Sequence, residues 1–210
     1  MTFDTAYMIT ALVTMFVVID PIGIAPLFLA LTQGMTPRQR RRIAIRATLT
    51  AAFVLALFAF FGEAVLGFIG ISMPAFRIAG GILLFLTALD MLFERRTKRR
   101  EGRTEAEEFN DPSVFPLAIP LMAGPGAIAS VILLIGEKPG GEGLLTVLVI
   151  TALTLLVMAL ILMASSYLDR VIGKTGIDVI TRILGMLLAA LSVQFVLDGL
   201  AAYGFGPSGP

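Results

Sequence analysis

The stretch "VVIDPIGIAPLF" at residues 17–28 decides how the rest of this sequence is interpreted. It places an aspartate, a glycine and two prolines inside one of the most apolar parts of the chain. Proline removes a backbone donor and clashes with the preceding helical turn, and glycine admits dihedral angles that are closed to other residues. A helix is therefore expected to break here. This first break consists of Asp20-Pro21-Ile22-Gly23.

The composition is that of a polytopic membrane protein. Of the 210 residues, 57% are hydrophobic and only 15% are charged, and the mean hydropathy is +0.93. A soluble domain of this length needs far more polar surface. The chain has no cysteine and no histidine, so disulfides, thiolate sites and the usual general base are excluded. We therefore expect no enzyme, no catalytic residue, no cofactor and no metal site.

Six segments are apolar and long enough to cross a bilayer, which takes about 20 helical residues. Two of them contain an interruption, the first break and a second break at Gly124-Pro125-Gly126. The predicted fold class is all-α, with six transmembrane helices of which the first and the fourth are discontinuous. The predicted spans cover residues 6–31, 43–61 (with an extension to about 69), 75–93, 114–135, 144–164 and 179–202.

The basic residues orient these spans. Twelve lysines and arginines lie in the loops after the first, third and fifth spans, and only Lys138 lies on the opposite side. We therefore expect both termini on the non-cytoplasmic side of the cell (inner) membrane. Nucleic-acid binding is a poor alternative for the basic run at residues 95–103, because acidic residues interrupt and follow it: Glu101, Glu105, Glu107, Glu108 and Asp111.

The two halves of the chain resemble each other at an offset of about 105 residues. An Arg-Ile-x-Gly sequence begins at both Arg77 and Arg182, and Pro21 and Pro125 of the two breaks are 104 residues apart. Each half holds three spans, an odd number, so the halves form an inverted repeat, as in many secondary transporters. We predict a first repeat at 1–93, a cytoplasmic linker at 94–112, a second, inverted repeat at 113–203 and an external tail at 204–210.

The two breaks are predicted to meet near the membrane midplane and to form one site. A broken backbone is tolerated in hydrocarbon only where protein or a water-filled cavity satisfies it. A break also exposes the N-terminus of a half-helix, which attracts anions. The predicted substrate-binding residues are Asp20, Pro21, Ile22, Gly23, Ile24, Gly124, Pro125, Gly126 and Ala127.

Asp20 lies near mid-depth, where a carboxylate costs at least about 2.5–3.5 kcal/mol on insertion scales. It should therefore face the bundle interior. Three roles stay open: a partner for a cationic group of the substrate, the carrier of a coupled proton, or a cap on the N–H groups of Gly23 and Ile24.

Arg77 and Arg182, near the starts of the third and sixth spans, are predicted with Asp20 as coupling or gating residues. Each arginine either reaches the headgroups or forms a gating ion pair. The candidate partners are Glu63 for Arg77, and Asp169 or Asp178 for Arg182.

Small and polar residues inside the spans are interpreted first as packing devices. Ser130 and Gln194 are secondary site candidates. The second span carries a small residue at every fourth position, which predicts a packing face: Ala44, Thr48, Ala52 and Ala56.

These motifs resemble the MarC family of six-span integral membrane proteins. The resemblance covers residues 5 to 202, and the two interrupted helices are its most specific part. It implies a permease or exporter, because archaeal relatives include proton-dependent transporters of small neutral amino acids such as glycine and alanine. The positions that carry over are Asp20, Pro21, Gly23, Pro26, Gly124, Pro125 and Gly126.

The function expected from this resemblance is proton-coupled transport of a small neutral amino acid, with alternating access around the midplane site. The alternatives are a channel or exporter for another small solute, and a non-transporting regulatory membrane protein. The expected partners are the solute, the lipid bilayer and, as a further option, a second copy of the chain.

Overall fold

The computed structural model describes residues 4–93 and 111–205, and every regular element in these two stretches is helical. The predicted all-α class is confirmed. The basic run at 95–103, nearly all of the predicted linker and the last residues of the tail lie outside the described residues. The helical segments are α1 (Thr5–Ile19), α2 (Pro21–Leu31), α3 (Pro37–Ile69), α4 (Met73–Leu92), α5 (Ser113–Met122), α6 (Pro125–Glu137), α7 (Gly141–Met163) and α8 (Ser165–Ala202).

These segments supply five helices long and apolar enough to cross a membrane, and six if the bent pair α5–α6 is one span. The segments α1 and α2 together form one of the five, Thr5–Leu31. The pair α5–α6 bends by 50° at the second break. The number of spans therefore agrees with the predicted six, and both predicted interruptions are present.

The second span begins earlier than predicted, because the sequence before it is a strong helix start. Thr36 Oγ1 accepts a hydrogen bond from Gln39 N at 3.3 Å, and Gln39 Oε1 accepts one from Thr36 N at 2.8 Å. Pro37 occupies the first helical position, where its missing N–H is harmless. The arginines predicted to lie in a loop are instead in the first turns of α3: Arg38, Arg40, Arg41 and Arg42.

The predicted loop before the last span is also helical. The segment α8 runs from Ser165 to Ala202, and its backbone departs from helical geometry at Gly173, where φ is 66°. That left-handed conformation favours glycine. The membrane-crossing part of α8 is Thr175–Ala202, so it starts four residues before the predicted position 179.

The small packing face of α3 differs from the predicted one. An α-helix repeats every 3.6 residues, so a stripe taken at every fourth residue drifts away from the contact surface. Of the predicted residues only Ala44 is buried, whereas Thr48, Ala52 and Ala56 are half-buried. The buried stripe of α3 instead follows Ala44, Ala47, Ala51, Leu55, Ala59 and Gly62.

The segments α4 and α8 form the most extensive helix contact, and glycines permit it. A methyl group built on Gly81 would lie 2.8 Å from Ser192 O, and one on Gly185 would lie 3.3 Å from Ala88 O. The two contact pairs are related by 104 residues, the offset between the two break prolines. Other helix pairs follow the same relation, because α3 packs on α5 and α6 as α7 packs on α1 and α2. The opposite orientation of the halves in the membrane stays a prediction.

Candidate functional site

Asp20 stands between two half-helices, where it ends α1 and caps the start of α2. Its N–H donates to Phe16 O at 3.0 Å, which ends α1, and its Oδ1 accepts from Gly23 N at 3.0 Å, which caps α2. The backbone between these bonds is left-handed, with φ of 54° and ψ of 63°. Aspartate is one of the few residues other than glycine that enter this region, because its short side chain bonds locally. Asp20 is therefore the residue at which the helix is interrupted, and it is fully buried.

Gly23 is required for space. A Cβ built on Gly23 would lie 2.7 Å from Asp20 Cγ and 2.8 Å from Asp20 Oδ1. The cap and a larger residue at this position therefore exclude each other. We expected glycine to supply unusual dihedral angles at the first break, but the left-handed residue there is Asp20.

The second break has a different construction. The turns of α5 are wide, since Ala123 N donates to Ala118 O, five residues earlier, at 2.8 Å. The following helix starts with Pro125, and no side chain caps it. Proline has no N–H, and Ile128 N already bonds to Gly124 O at 3.0 Å. The first-turn N–H groups of α6 without a side-chain cap are therefore those of Gly126 and Ala127.

The second break lies against the first. A methyl group built on Gly126 would be 3.4 Å from Val18 Cγ1, 3.4 Å from Leu84 Cδ2 and 3.5 Å from Thr87 Oγ1. Val18 precedes Asp20 by two residues, so the uncapped start of α6 packs on the last turn of α1. A methyl group here would make ordinary van der Waals contacts, so Gly126 lies about one methyl group away from these three side chains.

The residues of the predicted site are mostly enclosed. The broken span that carries Asp20 is 61% buried, more than any other single span. The Asp20 carboxylate and the uncapped start of α6 at Gly126 therefore both lie inside the bundle. Of the nine predicted residues, Ile22 and Gly23 are half-buried, Pro125 is exposed, and the others are buried: Asp20, Pro21, Ile24, Gly124, Gly126 and Ala127.

The two predicted gating arginines lie apart from the breaks. Arg77 is half-buried, and its Nε has no hydrogen-bond partner among the described residues. It forms no ion pair with Glu63, which was predicted as its partner. The carboxylate with which it interacts electrostatically is that of Glu137, at the end of α6. Arg182 is exposed. Its pairing with Asp169 stays open, because the side chain of Asp169 lies outside the described residues.

An ion pair near the start of the second span was missed by the sequence analysis. Arg46 of α3 pairs with Asp111, which precedes α5. Ser113 N donates to Asp111 Oδ1 at 3.0 Å. Hydrogen bonding from Ser113 holds the pKa of the Asp111 carboxyl below its ordinary value, and the Arg46 guanidinium contributes in the same direction. This pair joins the first predicted repeat to the end of the predicted linker, two residues before the second repeat begins. The sequence feature that could have indicated this pair is an aspartate two residues before the start of a helix.

Two further polar residues were also missed, Thr14 of α1 and Thr151 of α7. Both are buried, and neither hydroxyl has a hydrogen-bond partner in the described part of the chain; the same holds for Ser130 of α6. Their only signal in the sequence is a hydroxyl inside an apolar span. Gln194, in contrast, donates to Asp198 Oδ1 at 2.7 Å on the exposed side of α8, away from the breaks.

Comparison with known proteins gives one consistent family. The family described as MarC family integral membrane protein matches residues 5–203. The chain is 38% identical over 201 residues to UPF0056 membrane protein MJ1677 of Methanocaldococcus jannaschii, covering 94% of this chain and 97% of that protein. It is 34% identical over 192 residues to UPF0056 inner membrane protein YhgN of Escherichia coli K12, covering 91% and 95%. A UPF0056 membrane protein of Aquifex aeolicus is 36% identical over 195 residues, covering 91% of each chain. No solved structure matches the chain.

Proposed function

The chain belongs to the MarC family of integral membrane proteins, and from this membership and the paired helix breaks we propose that it is a secondary transporter of small neutral amino acids. The observation that carries the proposal is the position of Gly126, at the start of α6, beside Val18 at the end of α1. Paired discontinuous helices near the midplane are where secondary transporters bind their solutes.

The two breaks offer complementary chemistry to a zwitterion. The N–H groups of Gly126 and Ala127, at the positive end of the α6 dipole, suit a carboxylate. Asp20 suits an ammonium group, because a carboxylate accepts charge-assisted hydrogen bonds from a cation. The close packing around Gly126, against Val18 and Leu84, favours solutes with small side chains, such as glycine and alanine.

The coupled ion in this proposal is a proton carried by Asp20, and alternating access is a rocking of one repeat against the other. Protonation of Asp20 removes its charge when the substrate leaves, so an empty site does not hold an unpaired buried carboxylate. The scheme applies to an exporter and to an importer alike, because the solute and proton gradients set the direction of transport.

Transport into proteoliposomes tests the function. Purified protein should take up labelled glycine or alanine with saturation, and an imposed pH gradient should raise the rate. Failure across a broad panel of neutral amino acids would contradict the proposal. Non-saturating flux with single-channel conductance would favour a channel, and no affinity for any small solute would favour a regulatory role.

Asp20→Asn separates the proposed proton role from the cap. Asparagine keeps a side-chain oxygen for Gly23 N and tolerates left-handed backbone, but it carries no proton. We expect Asp20→Asn to fold and to lose the response to a pH gradient. Asp20→Ala, the matched variant, should also lose the cap, which is worth about 0.5–2 kcal/mol. A pH-driven Asp20→Asn protein would show that another group couples the proton.

We further propose that the chain resides in the inner membrane, as the name of the Escherichia coli relative states for that protein, with both termini on the non-cytoplasmic side. The chain has no cysteine, so single cysteines can report on orientation. In intact cells a membrane-impermeant maleimide should label Glu142→Cys, and should label Gln39→Cys only after permeabilisation. The reverse pattern would contradict this orientation. Association of two copies stays a prediction.

A further inference from the structure

Three buried hydroxyls without a hydrogen-bond partner lie on three helices that pack against one another. Thr14 on α1 and Ser130 on α6 are 0% exposed, and Thr151 on α7 is 6% exposed. None of these oxygens has a partner among the described residues, and α1, α6 and α7 contact each other pairwise. Roughly 90% or more of buried polar groups in folded proteins are paired. Six buried side-chain atoms lack a partner among the described residues, and the three on these neighbouring helices call for a common explanation.

Five other threonines of the bundle bond to their own helix, although the Thr181 hydroxyl of α8 has no partner among the described residues. The usual solution for a buried threonine is a hydrogen bond to the carbonyl four residues earlier. Thr154, three residues from Thr151 on the same helix, makes this bond to Ile150 O at 2.9 Å. Thr14 and Thr151 do not make it, so their hydroxyls remain available to a group outside their own helix. The bond is also made by Thr32, Thr48, Thr87 and Thr146.

The three helices share one end of the bundle, called here the N-terminal face, where α1 and α7 begin and α6 ends. Tyr7 of α1 donates its hydroxyl to Leu134 O of α6 at 2.8 Å. Lys138, just after α6, lies 5.9 Å from the Tyr7 ring centroid and 3.5 Å from Glu142 Oε2 of α7. Two polar contacts and a cation–π contact therefore join the three helices at this face.

The contact between α1, α6 and α7 is called here the seam, and its hydroxyls lie between the N-terminal face and the two breaks. At a rise of 1.5 Å per residue, Thr14, Ser130 and Thr151 are about 10 to 15 Å from the helix ends at this face. By the same measure Gly126 and Asp20 are about 16 to 22 Å from it. A solute that enters from the N-terminal face therefore passes the hydroxyls before it reaches the breaks.

Thr14 and Ser130 also lie on the helix surfaces that face each other. Thr14 falls between Tyr7 and Val18 on the stripe of α1 that contacts α6. Ser130 is one turn from Gly126, on the stripe of α6 that contacts α1. The hydroxyls of Thr14 and Ser130 therefore face the contact between these two helices.

We propose that Thr14, Ser130 and Thr151 form a second polar contact site, for a zwitterion with its water, on the passage from the N-terminal face to the breaks. The assignment of a zwitterion rests on the proposed function. A hydroxyl both donates and accepts, so the set serves a carboxylate and an ammonium group alike. The seam is closed in this structure, and its opening gives these hydroxyls the partners that they lack.

The hydroxyls of Thr14 and Ser130 are not repeated at the symmetry-related positions of the other repeat. The residues 104 positions from Thr14 and Ser130 are Ala118 and Pro26, which have no hydroxyl. The corresponding surfaces of α5 and α2 therefore lack these polar groups. The pair of breaks is repeated in both halves, whereas the second contact site belongs to the N-terminal face alone.

Cysteine accessibility tests the passage without reference to the solute. We expect a small water-soluble thiol reagent, applied to full-length protein in proteoliposomes, to label Thr14→Cys, Ser130→Cys and Thr151→Cys many times faster than Thr154→Cys. Saturating glycine or alanine should slow the first three reactions. Labelling no faster than that of Thr154→Cys, which replaces a hydroxyl already bonded within its helix, would overturn the proposal.

Hydroxyl removal tests the contact with the solute. Thr14→Val, Ser130→Ala and Thr151→Val should each raise KM about two- to tenfold, the effect of one hydrogen bond to the solute. Thermal stability without solute should not fall, because no protein hydrogen bond is lost. Thr154→Val is the control, with unchanged KM. Unchanged KM in all three variants of a transporting protein would refute the contact. If the wild type transports no amino acid, the proposed function fails, and cysteine labelling alone decides whether the passage exists.

Discussion

Asp20 and Gly23 constrain each other, because the side chain that caps α2 occupies the space of a Cβ at Gly23. The cap bond measures 3.0 Å from Asp20 Oδ1 to Gly23 N. The αL backbone of Asp20 is sustained by this bond and by the bond from its own N–H to Phe16 O. A small change at either residue should therefore affect the geometry of the whole break.

Gly23→Ala should destabilise the protein by about 1–3 kcal/mol, the usual range for overpacking a well-packed interior. The chain has no tryptophan, so thermal unfolding is best followed by far-UV circular dichroism. Gly67→Ala in α3 is the matched control, because nothing lies within 4 Å of its Cβ position. That control should be neutral or stabilising by up to about 1 kcal/mol. Equal melting temperatures for both variants would contradict the spatial role of Gly23.

At the scale of the helix ends, Tyr7 serves a carbonyl that its own helix leaves unpaired. At the end of α6, Lys138 N bonds to Ile135 O at 3.2 Å instead of Leu134 O. The last carbonyls of a helix need outside partners, and the Tyr7 hydroxyl supplies one at 2.8 Å. The bond also joins the start of α1 to the end of α6 at the N-terminal face.

Tyr7→Phe should loosen this end of the bundle while keeping the ring that packs beneath Lys138. We expect a loss of about 0.5–1.5 kcal/mol in stability, the net value of one hydrogen bond. In a Thr14→Cys background the same change should speed thiol labelling. Leu12→Ala, an exposed position on α1, is the control, with unchanged labelling. Slower labelling in the Tyr7→Phe protein would show that this bond does not hold the seam closed.

The crossing of α4 and α8 offers a graded test of helix packing. A Cβ on Gly81 would lie 2.7 Å from Val196 Cγ2 and 2.8 Å from a backbone oxygen, and one on Gly185 would lie 3.0 Å from Met91 Cβ. Both Gly81→Ala and Gly185→Ala should therefore lower the melting temperature, and Gly81→Ala should lower it more. A larger effect at Gly185, measured in the same detergent, would contradict the observed crossing geometry.

Much of the architecture was predictable because bilayer physics restricts it so strongly. Apolar length located the spans, and the residue chemistry of Pro21, Gly23 and Pro125 located both breaks. The start of α3 was misplaced because arginines were taken as loop residues, while the capping box of Thr36 and Gln39 extended the helix beneath them. The hydroxyls of Thr14 and Thr151 were missed because periodicity predicts burial, and only coordinates show which buried groups lack a partner.

At the scale of the whole molecule, the Arg46–Asp111 pair ties the first repeat to the end of the linker that leads into the second. Both side chains are close to half exposed, at 50% and 42%, so solvent screens the pair and its contribution is at most about 1 kcal/mol. The pair joins α3 to Asp111, two residues before α5, so it restrains the position at which the second repeat begins.

The pH dependence of this pair has a definite sign. The folded-state pKa of Asp111 is lowered, so its contribution is complete at neutral pH. It is lost as pH falls below the ordinary carboxyl value of about 3.9 and through the lowered pKa. The melting-temperature difference between wild type and Asp111→Asn should therefore be constant from neutral to mildly acidic pH and shrink only below about pH 4. Subtracting the variant cancels the titration of the other carboxylates. A difference that grows on acidification would mean that folding raises the pKa of Asp111, so the charged carboxylate would be disfavoured in the folded state.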